Sequence, residues 1–347
     1  MLRSRVLAGA LALAGVALGA LPTPACTTVC LLEKGRAVVA YNYDFDPSDG
    51  LVVVNKRDTT RRSRRQGTSW VARHGSVTFN QFGRDQPTTG LNEKGLMVSL
   101  MWLDETRYPP ADDRPALGIL EWIQYHLDRH ASVAEAIANA EAARPTGRVP
   151  IHYFFADAGG DAAVVEFLDG KLVVHRGASL PVKALANSTY ADSVTALETA
   201  RQAGRVPTSS RSLDRFVRGA TLATGEGDLV ARGFAVLAAV AQASYTRWSI
   251  VYDLSARAIH FKTDTNPGIR SVTMAGLDFP CPTPVKVLDV TAPGSGDVTR
   301  DFADYTRAMN HALMESSLRQ TPRLGNVPAP AIAAAAAHPD ATSSCGE

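Results

Sequence analysis

The chain has 347 residues, with 36 Lys and Arg against 34 Asp and Glu and a formal net charge of +2 at pH 7. So even a balance supplies no field to gather nucleic acid or an anionic membrane, which excludes both as electrostatic partners. The length suits one large domain or two small ones.

Residues 1–25 read as a secretory signal peptide. Arg3 and Arg5 form a positive start, an apolar run follows from Val6 to Leu21, and Thr23 and Ala25 are small residues placed for cleavage. The protein is therefore expected to be exported, periplasmic or secreted. Cutting after Ala25 leaves Cys26 as the first residue. An N-terminal cysteine joins a thiol to an amine whose ordinary pKa is about 7.7–8.0, so one residue can be nucleophile and base. Two other readings compete. One is a lipidated cysteine, although Thr23 and Pro24 match a lipidation signal poorly. The other is a structural cysteine near the cut. Beyond the signal no apolar segment approaches the roughly 20 residues of a membrane helix, so no stable membrane insertion is expected.

Next in the chain, Thr27–Leu32 alternates and is rich in β-branched residues. A Glu33-Lys34-Gly35 turn leads to Ala37–Tyr43, and Leu51–Asn55 follows, a strand meander. The basic run Lys56, Arg57, Arg61, Arg62, Arg64 and Arg65 reads as a solvated loop, since few aromatics interleave it. Trp70–Ala72, Ser76–Gln81 and Leu96–Trp102 extend the strands. Leu117, Leu120, Ile123 and Leu127 recur at helical spacing, and Ser132 with Glu135 forms a capping box for a second helix through Ala143. Strands resume at Ile151–Ala156, Ala162–Leu168 and Lys171–His175. Helices are predicted over Tyr190–Gln202, Ser212–Ala223 and Leu229–Ala243, then strands at Trp248–Asp253, Ala258–Thr263 and Ser271–Met274. Residues 26–320 thus read as one α+β domain. Residues 321–347, rich in Ala, Pro and Ser, read as a flexible tail. Cys30 reads as a buried thiol. Cys281 and Cys345 are candidates for a disulfide, a pairing the sequence leaves open.

Five short motifs stand in order along the domain. They are Cys26-Thr27-Thr28, Tyr41-Asn42-Tyr43-Asp44, Gly90-Leu91-Asn92-Glu93-Lys94-Gly95-Leu96, Leu185-Ala186-Asn187-Ser188 and Asp214-Arg215-Phe216. Together they resemble the choloylglycine hydrolase family of linear amide C–N hydrolases, which holds bile salt hydrolases and penicillin V acylases. The resemblance covers most of residues 26–275. It implies a four-layer αββα sandwich of the N-terminal nucleophile hydrolase type, with the nucleophile at the start of an inner strand and no cofactor or metal.

By that resemblance Cys26 is the nucleophile and, through its amine, the base. Asp44 holds the amine, Asn92 and Asn187 surround the oxyanion, and Arg215 orders the nucleophile's surroundings. Each has an ordinary reading alone: Asn92 heads a turn, Asp44 ends a strand, and Arg215 lies on an exposed helix face. Tyr41 departs from the family pattern, standing where bile salt hydrolases carry an arginine. It removes a cation from the site and points away from bile salts toward neutral, apolar acyl groups. Tyr41, Phe45, Met101 and Trp102 are the candidate substrate contacts, with Tyr108 nearby, while Trp122 and Trp248 read as core. No histidine among His74, His126 and His152 sits in a Cys-His-Asn pattern. The expected activity is hydrolysis of a linear, non-peptide amide of a small-molecule N-acyl substrate through a thioester. The competing functions are an N-acyltransferase using the same site and a lipid-anchored periplasmic binding protein acylated on Cys26. A homo-oligomer is compatible with the sequence, which does not set the subunit count.

Overall fold

Alternation at period two builds the first layer. Strands β1 (Thr27–Glu33) and β2 (Arg36–Tyr43) form a hairpin, with Thr27 opposite Asn42 and Glu33 opposite Arg36. The computed structural model that shows this describes residues 26–65, 67–321 and 326–345. The expected signal peptide, residues 1–25, lies outside the described residues. On its other edge β2 pairs with Trp248–Asp253. The sheet continues through Ala258–Thr263, Arg270–Thr273 and Gly296–Asp297, and Ala184–Leu185 flanks β1, so β1 and β2 are inner strands.

The second sheet has nine strands. Its central members are β3 (Leu51–Asn55), β6 (Ser76–Asn80), β7 (Thr89–Asn92) and β8 (Met97–Trp102), the intervening β4 (Thr59–Arg62) and β5 (Ser69–Val71) forming a separate hairpin. Beyond β8 lie Ile151–Ala156, Ala162–Leu168 and Lys171–Arg176, and beyond β3 lie Lys286–Asp289 and Ala303–Asp304. Successive side chains take opposite faces. Val52, Val54, Met97 and Met101 enter the core shared with the first sheet, whereas Val98 and Leu100 pack outward with Trp122 and Leu127.

Helices α1 (Ile119–Arg129) and α2 (Val133–Ala138) cover the second sheet, and α3 (Tyr190–Gln202), α4 (Ser212–Leu222) and α5 (Leu229–Val240) group on the first. The result is the expected αββα sandwich. The Ser132 hydroxyl caps α2 through the Glu135 N–H. That helix stops at Ala138, short of Ala143, with Asn139 as its C-cap, and Arg144–Thr146 then pairs with Ala116–Gly118.

Two expectations are corrected. The basic run is solvated only in part, at the exposed Arg62, Arg64 and Arg65. Part of it is β4, where Arg61 is buried with Nε 2.8 Å from Asp128 Oδ2 and Nη1 2.5 Å from Asp85 Oδ1. Lys56 is buried too and donates to Thr283 Oγ1 at 2.8 Å. Buried charges persist when paired, and these partners are remote in sequence.

Of the segment 321–347, expected to be a flexible tail, the described residues 326–345 are ordered. They carry α7 (Ala329–Thr342), which packs Ile332 and Ala336 against Met314 of α6 (Arg307–Gln320). Asn310 Nδ2 donates to the Ala336 carbonyl at 2.9 Å, and Asp340 pairs with Arg307 at 3.0 Å. Ser344 lies opposite Thr60, and Cys345 forms a disulfide with Cys281. A cross-link spanning 64 residues stabilises by about 4 kcal/mol in the chain-entropy account.

Candidate active site

Cys26 immediately precedes β1 and Asp44 immediately follows β2, so the hairpin register brings the two together. Both are buried. The Asp44 backbone N–H and the Tyr41 hydroxyl lie beside the Cys26 thiol. Burial, then the charge of Asp44, pushes the thiol up to about 12, against the Asp44 N–H, Tyr41 and Arg215. At pH 7 such a thiol is almost wholly protonated. A partner must therefore take the proton before or during attack on a carbonyl.

The Asp44 carboxylate is held on one side only. Its Oδ2 accepts from Gln242 Nε2 at 3.0 Å and stands 4.0 Å from Arg215 Nη1. Its Oδ1 has no hydrogen-bond partner among the described residues. Burial raises the carboxyl to about 6, with Arg215, Thr246 and Gln242 opposing. Gln242 and Thr246 have no motif around them, and nothing in the sequence marks them.

Arg215 is wholly buried on α4, not on an exposed face. It donates to the Cys26 carbonyl and to Asn187 Oδ1, both at 2.9 Å, to the Ser210 carbonyl at 3.1 Å, and to the Thr27 hydroxyl. Its planar fork of donors ties the head of β1 to the Asn187 loop. Asn187 Nδ2 donates to the Trp102 carbonyl at 2.7 Å. An amide carries two hydrogens, so one N–H is left for a ligand.

Asn92 is not brought to this site. Its Nδ2 donates to the Leu127 and His130 carbonyls at 2.8 and 2.7 Å, and its Oδ1 accepts from the Lys94 and Leu96 N–H groups at 3.1 and 2.9 Å. Both amide hydrogens are spent on joining the β7–β8 turn to the end of α1. Asn92→Ala is expected to destabilise the fold by about 2–4 kcal/mol through four orphaned main-chain groups. Turnover per folded molecule should stay within a few-fold, as thermal melts beside active-site-normalised kinetics will read.

Trp102 supplies a donor that motif reading missed. Leu100 N donates to the Thr88 carbonyl at 3.2 Å, and Leu103 N donates to the Pro150 carbonyl at 3.1 Å on the opposite edge. Alternation turns the Trp102 N–H to the Leu100 side, beyond the end of β7. Strand periodicity alone could have suggested this.

A cavity of about 420 Å³ opens onto Cys26 and Asp44. Phe45 and Trp102, candidate substrate contacts, line it, joined by Tyr43, Phe82, Leu100 and Ile119. Tyr41 and Met101 do not line it. Tyr41 is wholly buried, its hydroxyl donating to the Leu100 carbonyl at 3.0 Å. Met101 faces the other side of β8, where its sulfur accepts from Thr28 Oγ1 at 3.2 Å. Tyr108 spends its hydroxyl on the Val149 carbonyl at 2.9 Å. Trp122 and Trp248 are core, and Cys30 is a buried free thiol. Tyr41→Phe removes a donor beside the thiol and the partner of a buried carbonyl. It is expected to cost about 1–3 kcal/mol of stability, read by thermal denaturation. Among the described residues no cluster of three His, Cys, Asp or Glu could hold a metal ion, and no helix is long and apolar enough to cross a membrane.

An αββα sandwich with a cysteine at the head of an inner strand is the architecture of the N-terminal nucleophile hydrolases. The sequence profile of "Linear amide C-N hydrolases, choloylglycine hydrolase family" matches residues 26–235. The chain belongs to that family. It is 30% identical over 236 residues to a penicillin V acylase from Pectobacterium atrosepticum, an alignment covering 60% of this chain and 62% of that one. The chain thus spans less than two thirds of that relative's length. The structure of penicillin V acylase from Agrobacterium tumefaciens superposes with a TM-score of 0.71 at 27% identity, covering 81% of this chain and 98% of that one. A conjugated bile acid hydrolase from Clostridium perfringens shares the fold, with a TM-score of 0.66 at 17% identity over 76% of this chain and 97% of its own.

Proposed function

We propose that the protein is exported, that removal of residues 1–25 makes Cys26 the N-terminus, and that it hydrolyses a linear amide of a small N-acyl substrate. The observation that carries this reading is the Asp44 carboxylate beside Cys26, whose Oδ1 lacks a partner among the described residues. An α-ammonium freed at Cys26 is the group such an oxygen suits, because an ionised carboxylate holds and orients a cation.

In this mechanism the neutral α-amine takes the thiol proton as sulfur attacks the substrate carbonyl. The oxyanion rests on the spare Asn187 Nδ2–H and the Trp102 N–H, donors already oriented and needing no reorganisation. The ammonium then protonates the departing amine, the C–N bond breaks, and a thioester remains. Water attacks the thioester, giving its proton to the α-amine, which passes it to the departing sulfur as the acid is released, restoring thiol and neutral amine. Asn187 keeps its expected place; the Trp102 N–H takes the one expected for Asn92. The apolar cavity suits an uncharged acyl group. With penicillin V acylase among the relatives, penicillin V is the first substrate to try. A lipid on Cys26 fits less well, since the residue is only 5% exposed.

The test is steady-state hydrolysis by the mature protein. Cys26→Ala should abolish it, and Cys26→Ser should lose most of it, an alcohol being the poorer nucleophile near neutrality. A form that retains residues before Cys26 should fold and stay inactive. Full turnover by that form would remove the amine from the mechanism.

A further inference from the structure

One wall of the cavity comes from outside the region that the family profile matches, which ends at residue 235. Met314 and Leu318 of α6, and Ala331, Ile332 and Ala335 of α7, face the same space as Cys26 and Asp44. Ala331 and Ala335 are one helical turn apart and so share a face. This wall is fastened from several directions. Arg64 Nη2 donates to the Ala335 carbonyl at 3.2 Å, Asn310 holds the Ala336 carbonyl, Arg307 pairs with Asp340, and the Cys281–Cys345 disulfide closes the end. A wall so tied cannot retreat freely from a larger side chain. The neighbouring Ala333 is exposed and does not line the cavity.

We propose that the α7 face bearing Ala331 and Ala335 sets the depth of the acyl pocket, and with it the size of the apolar group this enzyme accepts. The inference rests on the acyl-amide reading of the site. The small side chains at these two positions leave the space that the far end of an acyl group fills. Each methylene buried there contributes about fourfold in affinity. A ring placed at 335 that displaces three methylenes therefore costs about 50-fold for a long acyl group and little for a short one.

The experiment measures binding, so that it does not depend on turnover. Hexanoate and decanoate, the acids that such amides would release, are titrated calorimetrically into the full-length mature Cys26→Ala protein. The same titrations follow in Cys26→Ala carrying Ala335→Phe, Ala331→Leu or Ala333→Phe, each checked by thermal melt. Decanoate is expected to weaken about 50-fold with Ala335→Phe and several-fold with Ala331→Leu, hexanoate to change less than threefold, and Ala333→Phe to leave both unchanged. If Ala335→Phe does not fold, Ala331→Leu decides. Equal losses for both acids, no loss for decanoate, the same loss with Ala333→Phe, or no binding of either acid to the parent would overturn the proposal. Chain-length discrimination in a protein that hydrolyses no amide would leave the wall standing and sink the hydrolase reading instead.

Discussion

Arg215→Ala is expected to cost both fold and function. The arginine is wholly buried and holds the Cys26 carbonyl, the Thr27 hydroxyl and Asn187 Oδ1 at once. Its loss leaves the Asp44 carboxylate buried with its nearest cation gone. Breaking a buried pair from one side destabilises by about 3–5 kcal/mol. It also frees Asn187, whose remaining N–H faces the oxyanion in the proposed mechanism, and losing one such donor lowers kcat by about 10²–10³. Arg215→Lys should recover little, because one ammonium cannot replace a fork aimed at four acceptors. Denaturant melts with kcat measured at saturating substrate separate the two losses. A stable variant with normal kcat would refute the role.

Asp44→Asn is expected to divide what Arg215→Ala joins. In the folded chain the Asp44 carboxyl titrates near 6, above its ordinary 3.8. A raised carboxyl pKa means the folded state binds the proton more tightly. Its contribution to stability is therefore lost as pH rises from about 4 to about 6, and above that the ionised group burdens the fold. In the unprocessed chain, where no α-ammonium faces the carboxylate, the isosteric amide removes the burden, so at pH 7 the melting temperature should hold or rise. Activity should fall by about 10²–10⁴, the usual contribution of a positioned acid–base group, because nothing then holds the α-amine. The remaining activity should show its acid limb at lower pH. A neighbouring carboxylate favours the ammonium and raises its pKa; without it the amine becomes a neutral base sooner as pH rises. A pH–rate profile of kcat/KM for both proteins reads the direction.

The parts of the fold that were legible in the sequence are those with a strong local period. Thr27–Leu32 alternates, and β1 covers it with one residue more. Tyr190–Gln202 carries helical spacing and is α3. The parts that were not legible draw their order from distant partners. Nothing near Arg61 announces Asp128, and the basic run looks solvated until that pair is seen. The alanine-rich α7 buries little of its own, chiefly Ile332, Ala336 and Pro339, and is held by a disulfide and by Asn310 and Arg307 from α6.

The site shows the same division. Cys26, Asp44, Asn187 and Arg215 were marked by motifs and meet through the hairpin register and the α4 side chain. Asn92 carried a motif of equal strength, but its amide is consumed by a turn. Met101 and Trp102 are both expected in the pocket, although adjacent strand residues must face opposite ways. Applied there, that rule would have chosen Trp102.

The central claim is that a free N-terminal Cys26 carries the acyl group. The mature protein, mixed with penicillin V and quenched in acid within the first turnovers, is analysed by intact mass and then by peptide mapping. The account predicts a chain beginning at unlipidated Cys26, part of it heavier by one phenoxyacetyl group, with the adduct on the peptide that starts at Cys26 and absent from Cys26→Ala. A chain whose active form keeps residues before Cys26, a diacylglyceryl group on that cysteine, or an acyl adduct on another residue would contradict it.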